Sequence, residues 1–322
     1  MTPATVEDHT KSPAAKKRIR LQEYALVGVL IILVIVGAAT KPSTFLSSDN
    51  LFTVLTQASV VGVLAIGMTF VIASGGIDLS VGSLVAAAGI AGGLAADGGS
   101  GLLFIAAAIG LGILLGGING LAVTFGRVVP FIATLAMLTI ARGLALRMSG
   151  KTPISVVLLD QVRFFGNGKI AGIPTPAVVF VLLTIVGWVV LNRTTYGRYV
   201  VATGGNREAA RIAGIRVQRI IFSVYVVSGL CAGISALLLS GRLATASPVA
   251  GTLYELDAIA AVVIGGTSLS GGKATMLGTF LGVLTFAVIF NLLNLLNLPT
   301  EFQQIVKGVI VLTAVIAQRR EN

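Results

Sequence analysis

Residues 51–73 read LFTVLTQASVVGVLAIGMTFVIA and contain no charged side chain. An α-helix needs ~20 mostly apolar residues to cross the hydrocarbon layer of a bilayer. This stretch therefore predicts a membrane-spanning helix, and it decides the class of fold expected for the rest of the chain.

The composition of the whole chain agrees with that class. Hydrophobic residues make up 55% of the 322 positions and charged residues only 11%, whereas a soluble domain carries about 25% charged residues. A soluble fold of this length has too small a core to bury so many long apolar segments. We predict an all-α integral membrane protein with a single domain over residues 22–318.

About ten segments are apolar and long enough, or nearly so, to cross a bilayer. They begin near residues 22, 51, 80, 101, 129, 177, 218, 256, 274 and 303. Segments three (80–96) and eight (256–270) are short and rich in Gly, Ala and Ser, which favours broken or re-entrant helices. Non-helical backbone occurs at membrane depth only where protein or a water-filled cavity surrounds it.

The basic residues predict the orientation of these segments. With ten crossings, roughly threefold more Lys and Arg lie on the side of the amino terminus than on the other side. The tails 1–21 and 319–322 are therefore both predicted to be cytoplasmic. Because the basic residues cluster at the ends of apolar segments, the net charge of +11 reflects topology in a lipid bilayer and does not indicate a nucleic-acid partner.

Small residues and two similar Gly/Ser-rich stretches predict how the helices of the bundle are arranged. Gly112, Gly116 and Gly120 recur at intervals of four, a spacing that lets two helices approach closely. SGGIDLSVGS (74–83) before segment three has a counterpart in GGTSLSGGKAT (265–275) after segment eight. If segments 2–5 repeat as segments 7–10, the offset of five crossings inverts the second copy, a plan common in transport proteins.

Residues suited to catalysis or metal binding are scarce. The chain has one cysteine, Cys231 in an apolar segment, and one histidine, His9 in the amino-terminal tail, so we predict no catalytic residues, no metal site and no cofactor. The stretch GGTSLSGGKAT departs from the phosphate loop G-x-x-x-x-G-K-[ST], because Thr267 replaces the first glycine and Ala274 the final hydroxyl residue. We expect that the chain is not an enzyme and does not bind ATP by itself.

A few polar side chains lie inside apolar segments. Arg142 is the deepest charge; it either snorkels to the interface, pairs helices or contacts a solute. Buried amides either tie helices together or bind a hydroxylated solute. The candidate residues of a translocation pathway are Gln57, Asn119, Arg142, Asn291 and Asn294.

Two other classes of function are weighed against a pathway driven by a partner. A self-sufficient secondary transporter coupled to protons normally needs a carboxylate within a span, and Asp78, Glu255 and Asp257 are predicted near the ends of spans. A membrane-embedded enzyme lacks support from any catalytic constellation.

The longest polar loop, residues 192–219, predicts a short helix on the cytoplasmic side. Asn206 suits the N-cap, Glu208 favours the first turn, and Gly214 can end the helix in the left-handed conformation.

The arginines of this loop, among them Arg207 and Arg211, surround small apolar side chains. The pattern suits insertion of one helix face into the groove of a partner, and it equally suits a basic loop on anionic headgroups. The residue chemistry leaves both interpretations open.

Several longer stretches form a distinctive ordered series. They are NLFTVLTQASVVGVLAIGMTFVIASGGIDLSVGS (50–83), PFIATLAML (130–138), ARG (141–143), GIPTP (172–176), GRYVVATGGNREAARIAGIRV (197–217) and YELDAIAAVVIGGTSLSGGKA (254–274). In this combination and order they resemble the sugar permeases of bacterial ATP-binding-cassette importers, and the resemblance runs through nearly the whole chain.

The resemblance implies a multi-pass homodimer in the bacterial inner (plasma) membrane that imports ribose or a related monosaccharide. It implies two partners, a cytoplasmic ATPase subunit and a periplasmic or secreted sugar-binding protein. It also implies that the loop acts as the coupling helix against the ATPase. The residues it assigns to that contact are Asn206, Arg207, Glu208, Arg211 and Gly214.

Overall fold

The computed structural model describes residues 13–97 and 99–319, and within them the side chains of 13–25, 314 and 317–319 are not described. His9, Lys11 and residues 320–322 lie outside the described residues, and the side chains of the other basic residues near the amino terminus are not described. The predicted orientation partly depends on these residues.

The described chain is almost entirely helical. Its helices are α1 Pro13–Thr40, α2 Pro42–Phe45, α3 Ser48–Ala73, α4 Val81–Ala96, α5 Gly101–Thr124, α6 Pro130–Met148, α7 Asp160–Asn167, α8 Thr175–Arg193, α9 Thr195–Gly205, α10 Arg207–Ile212, α11 Val217–Leu243, α12 Tyr254–Ile264, α13 Met276–Leu295 and α14 Thr300–Arg319. Two short antiparallel ribbons accompany them, β1 Ile154–Ser155 with β4 Thr245–Ala246, and β2 Lys169–Ile170 with β3 Ile173–Pro174.

Each predicted segment contains one of these helices. Six of them, α3, α5, α6, α8, α11 and α13, are long and apolar enough to cross a membrane. The prediction of an all-α membrane protein is confirmed, while ten crossings, an inverted repeat and cytoplasmic termini stay predictions.

Helices α3 and α11 form the centre of the bundle, and α5 packs closely along α11. A side-chain carbon on Gly116 would lie 2.9 Å from the Cα atom of Gly229, and one on Gly112 would lie 2.9 Å from the amide nitrogen of Gly233. The four-residue glycine spacing therefore does what the sequence predicts: it allows backbone-to-backbone contact between two helices.

The two short segments contain helices of 16 and 11 residues, α4 and α12, whose amino-terminal ends meet. Helix α12 ends at Ile264, earlier than the predicted 270, because Gly265 and Gly266 begin a turn and Gly266 has φ +88°. The backbone of Gly82, in the first turn of α4, directly contacts that of Gly251, just before α12.

The meeting point lies well inside the bundle. Gly82 is 14 residues before the end of α4, which is ~21 Å along the helix axis at 1.5 Å per residue. Segments three and eight therefore each combine a non-helical stretch with a short helix.

The loop between α6 and α8 contains structure that the sequence reading missed. Helix α7 packs across the end of α11, where Gly166 meets Gly241 backbone to backbone. Asn167 fixes this contact because its Nδ2 donates to the carbonyls of Gly241 at 2.9 Å and Arg242 at 3.0 Å.

Candidate functional site

The loop 192–219 contains the predicted helix, α10, preceded by a second helix, α9, that was not predicted. The Asn206 Oδ1 accepts from the amide of Ala209 at 2.9 Å, so Asn206 is the N-cap. Glu208 lies in the first turn, and Gly214 follows the helix with φ +82°. The local prediction is confirmed at all three positions.

Helix α10 offers a charged and partly apolar surface to the solvent. Arg211 Nη2 lies 2.6 Å from Glu208 Oε1, and both side chains are mostly exposed. The hydrogen bond and the nearby guanidinium lower the pKa of Glu208, and the same bond raises the pKa of Arg211. Within α10, the Ala210 side chain is buried, whereas the Ile212 side chain is 79% exposed. The helix can thus present both charge and an apolar side chain to a partner.

The end of α9 at Gly204–Gly205 meets two glycine turns of the transmembrane bundle, and we call these three places the glycine joint (Gly75, Gly204–Gly205 and Gly271–Gly272). A carbon added to Gly271 would lie 2.8 Å from the Gly204 carbonyl oxygen and 2.9 Å from the Gly75 amide nitrogen. The amide of Gly272 also donates to the Ala73 carbonyl at 3.1 Å. The end of α9 therefore lies directly on both Gly/Ser turns that echo each other in the sequence.

The two turns of the glycine joint adjoin the short helices α4 and α12. Residues 74–80 lead into α4, and residues 265–275 follow α12. The contacts between α9 and these two turns are backbone to backbone, with no flexible side chain between them. Protein interiors packed this closely transmit strain.

Asp78 is fully buried and connects the start of α4 to α11. Its Oδ1 accepts from the Ser80 amide at 3.0 Å and hydroxyl at 2.6 Å, and its Oδ2 accepts from the Ser228 hydroxyl at 2.8 Å. Asn119 Nδ2 donates to the Ser80 hydroxyl at 2.8 Å. Ser228 is 11 residues into α11, ~16 Å along its axis. Asp78 therefore lies deeper in the bundle than the sequence predicted, since the sequence placed it near the end of a span.

Arg142 is half-buried and binds the backbone of a neighbouring segment. Its Nη1 donates to the carbonyls of Pro248 at 2.7 Å and Ala250 at 2.9 Å. It thereby holds the non-helical stretch that leads into α12. Close by, Lys307 Nζ lies 2.6 Å from Oδ1 of Asp257, which joins α14 to α12.

The amide candidates mostly bind other protein groups. Asn291 exchanges hydrogen bonds with Asn50, at 2.7 and 3.1 Å between amide nitrogen and oxygen, and so ties α13 to α3. Asn294 is exposed and its Oδ1 accepts from Gln303 at 2.9 Å. Gln57 is half-buried on α3. These contacts favour the helix-tying interpretation for Asn119, Asn291 and Asn294.

Sequence reasoning missed several polar partners because hydroxyl residues give no strong signal inside apolar segments. Ser80, Ser228 and Asn50 are among them, and so is Tyr225, whose hydroxyl donates to the Ile77 carbonyl at 3.3 Å. Their partners lie far away in sequence, so only the fold pairs them.

Comparison with known proteins places this architecture in a family. Residues 50–315 match the family described as branched-chain amino acid transport system / permease component. The chain belongs to this permease family. The permease is 40% identical over 306 residues to the ribose import permease protein of Escherichia coli K12, covering 94% of this chain and 95% of that protein.

Two further relatives cover similar shares. The ribose import permease protein of Bacillus subtilis 168 is 44% identical to the permease over 295 residues, which is 91% of each chain. The xylose transport system permease protein of E. coli K12 is 34% identical, over 93% of this chain and 92% of that protein. No solved structure matches the permease significantly. With its long apolar helices, the permease is a multi-pass membrane protein.

Proposed function

We propose that the chain is the membrane-spanning subunit of an ATP-driven (ABC) importer that carries ribose or a related monosaccharide across the bacterial inner (plasma) membrane. The observation that carries this proposal is the identity of 40% and 44% with two ribose import permease proteins over more than nine-tenths of this chain. The relatives span the full bundle, so the likeness extends to both the pathway and the cytoplasmic loop.

The rest of the transporter comes from partners. The permease forms a homodimer, a cytoplasmic ATPase subunit hydrolyses ATP, and a periplasmic or secreted binding protein delivers the sugar. The departure of GGTSLSGGKAT from a phosphate loop at Thr267 and Ala274 supports the assignment of ATP hydrolysis to a partner.

The topology belongs to the same proposal. The chain crosses the membrane ten times with both termini in the cytoplasm, and segments 2–5 and 7–10 form an inverted repeat. The amino-terminal contact between α4 and α12, and the convergence of their Gly/Ser turns on Gly204, support the repeat, because symmetry-related broken helices meet near the membrane centre in such folds.

Reconstitution tests the function directly. Liposomes that contain the permease, its ATPase and its binding protein are expected to accumulate labelled ribose when ATP is present, and an excess of unlabelled xylose should compete less well than unlabelled ribose. The ATPase supplies the energy, so uptake should stop without ATP. Uptake by the permease alone, driven by a proton gradient, contradicts the proposal and indicates a secondary transporter.

Within this function, α10 is the coupling helix that inserts into the ATPase. Its support is local: an N-capped helix with exposed Arg211 and Ile212 side chains, joined by α9 to the glycine joint. The residues assigned to the ATPase contact are Asn206, Arg207, Glu208, Arg211 and Gly214.

Gly214→Pro is expected to uncouple ATP hydrolysis from uptake. Proline fixes φ near −65° and has no amide hydrogen, whereas Gly214 has φ +82° and its amide donates to the Arg211 carbonyl at 3.0 Å. The change therefore redirects the chain after α10. The measurement is ATP hydrolysis stimulated by the loaded binding protein, together with sugar uptake.

Gly214→Asn is the matched control, because asparagine tolerates the left-handed conformation and nothing lies within 4 Å of a carbon added at this position. The control should keep stimulated hydrolysis and uptake near their normal levels. Normal coupling in the proline variant would count against the coupling role.

A further inference from the structure

The segment Ser247–Leu253 has an unusual position for its conformation. It is non-helical, yet its Gly251 contacts the backbone of Gly82, ~21 Å along the axis of α4 from the end of that helix. The hydrocarbon layer of a bilayer is ~30 Å thick. With the end of α4 at the surface of that layer, this segment lies within its depth.

The segment is also partly uncovered. Val249 is 60% exposed and Thr252 is exposed as well, although Pro248 and Gly251 are buried. Irregular backbone in the hydrocarbon layer does not face lipid, since lipid cannot satisfy its polar groups; it is buried in protein or lines water. An exposed surface on this segment therefore adjoins either water or the second copy of the proposed homodimer, and the labelling test below distinguishes the two.

From this geometry we infer that Ser247–Leu253 lines the aqueous solute pathway, with Val249 and Thr252 facing the solute. The inference rests on the proposed transport function and names one wall of the route. Arg142 acts as a positioning residue, because its bonds to the Pro248 and Ala250 carbonyls hold the segment in place.

The chemistry of the exposed surface suits an uncharged, hydroxylated solute. The neighbouring acidic groups are turned into the protein: Glu255 lies against Gly82, and Asp257 is paired with Lys307. What the segment presents to the pathway is the apolar Val249 side chain and the Thr252 hydroxyl, which bonds to the Val249 carbonyl at 2.8 Å. This wall offers a solute hydrogen-bonding groups without net charge.

Thiol labelling tests the inference in the assembled transporter. Val249→Cys and Thr252→Cys are made separately, and a charged, membrane-impermeant methanethiosulfonate is added from the binding-protein side, at rest and during ATP turnover. We expect both cysteines to react at least about tenfold faster than a lipid-facing cysteine in one of the two states, because the reactive thiolate forms in water and not in lipid.

Leu114→Cys is the matched control. Leu114 is 57% exposed, close to the value for Val249, and lies near the middle of α5, a regular helix. The unaltered chain, in which Cys231 is buried, gives the background rate.

If both new cysteines react as slowly as Leu114→Cys in both states, the segment faces lipid or a second copy of the chain, and the inference is overturned. Ribose uptake is measured on the same vesicles. If the vesicles take up ribose but the new cysteines react slowly, only this inference is overturned. If the new cysteines react fast but the unaltered complex takes up no ribose, only the proposed sugar import is overturned.

Discussion

Gly204→Ala is expected to reduce sugar uptake by roughly tenfold or more while ATP hydrolysis continues. A carbon at this position would collide with the Ala73 carbonyl oxygen and lie 2.8 Å from the Gly272 amide nitrogen. Both neighbours are backbone and cannot rotate away, and overpacking of this kind costs about 1–3 kcal/mol. If this cost falls on the conformation that α9 must adopt during transport, each ~1.4 kcal/mol lowers the population of that conformation about tenfold. The measured quantity is the amount of sugar imported per ATP hydrolysed.

Gly205→Ala provides a control one residue away in the same helix turn. There an added carbon would lie 3.7 Å from the Gly272 Cα atom, an ordinary van der Waals distance, so uptake should remain close to normal. A purely structural defect would lower hydrolysis and uptake together, in proportion to the folded protein. Equal ratios of uptake to hydrolysis in the two variants would refute the role of the glycine joint in coupling.

The sequence predicted the helices well because each apolar segment carries its own signal. A long uncharged run such as residues 51–73 requires a helix in lipid wherever its neighbours lie, since only a helix satisfies its backbone within one segment. The cap at Asn206 and the turn at Gly214 were also predictable, because capping depends on residues only a few positions apart.

The arrangement of the polar groups could not be predicted in the same way. Asn119 and Asn291 looked like candidates for a pathway, yet their partners are Ser80 and Asn50, which are distant in sequence. Whether a buried amide faces a solute or another helix depends on tertiary packing, which hydropathy does not encode. The same holds for the glycine joint: the two Gly/Ser turns were recognised as an echo, but their meeting at Gly204 depends on the fold.

Asp78→Ala is expected to cause the largest loss of stability among single changes in the bundle. The substitution removes the acceptor of three hydrogen bonds, from the Ser80 amide and from the Ser80 and Ser228 hydroxyls. Each buried donor left without a partner costs about 1–3 kcal/mol. Thermal unfolding of the purified protein in detergent should show a clearly lower Tm.

Asp78→Asn separates the hydrogen bonds from the charge. The asparagine oxygen can still accept from Ser80, and its amide can donate to the Ser228 hydroxyl, which accepts as readily as it donates. This variant should therefore lose much less stability than Asp78→Ala.

A double-mutant cycle isolates the interaction between Asp78 and Ser228. Removing the Ser228 hydroxyl should cost less in the Asp78→Ala protein than in the unaltered one, because that hydroxyl is already unpaired there, with an expected coupling of about 0.5–3 kcal/mol. Strict additivity of Asp78→Ala and Ser228→Ala would mean that the carboxylate does not hold α4 to α11, and that other contacts, such as the Asn119–Ser80 hydrogen bond and the packing at Gly82, fix the start of α4.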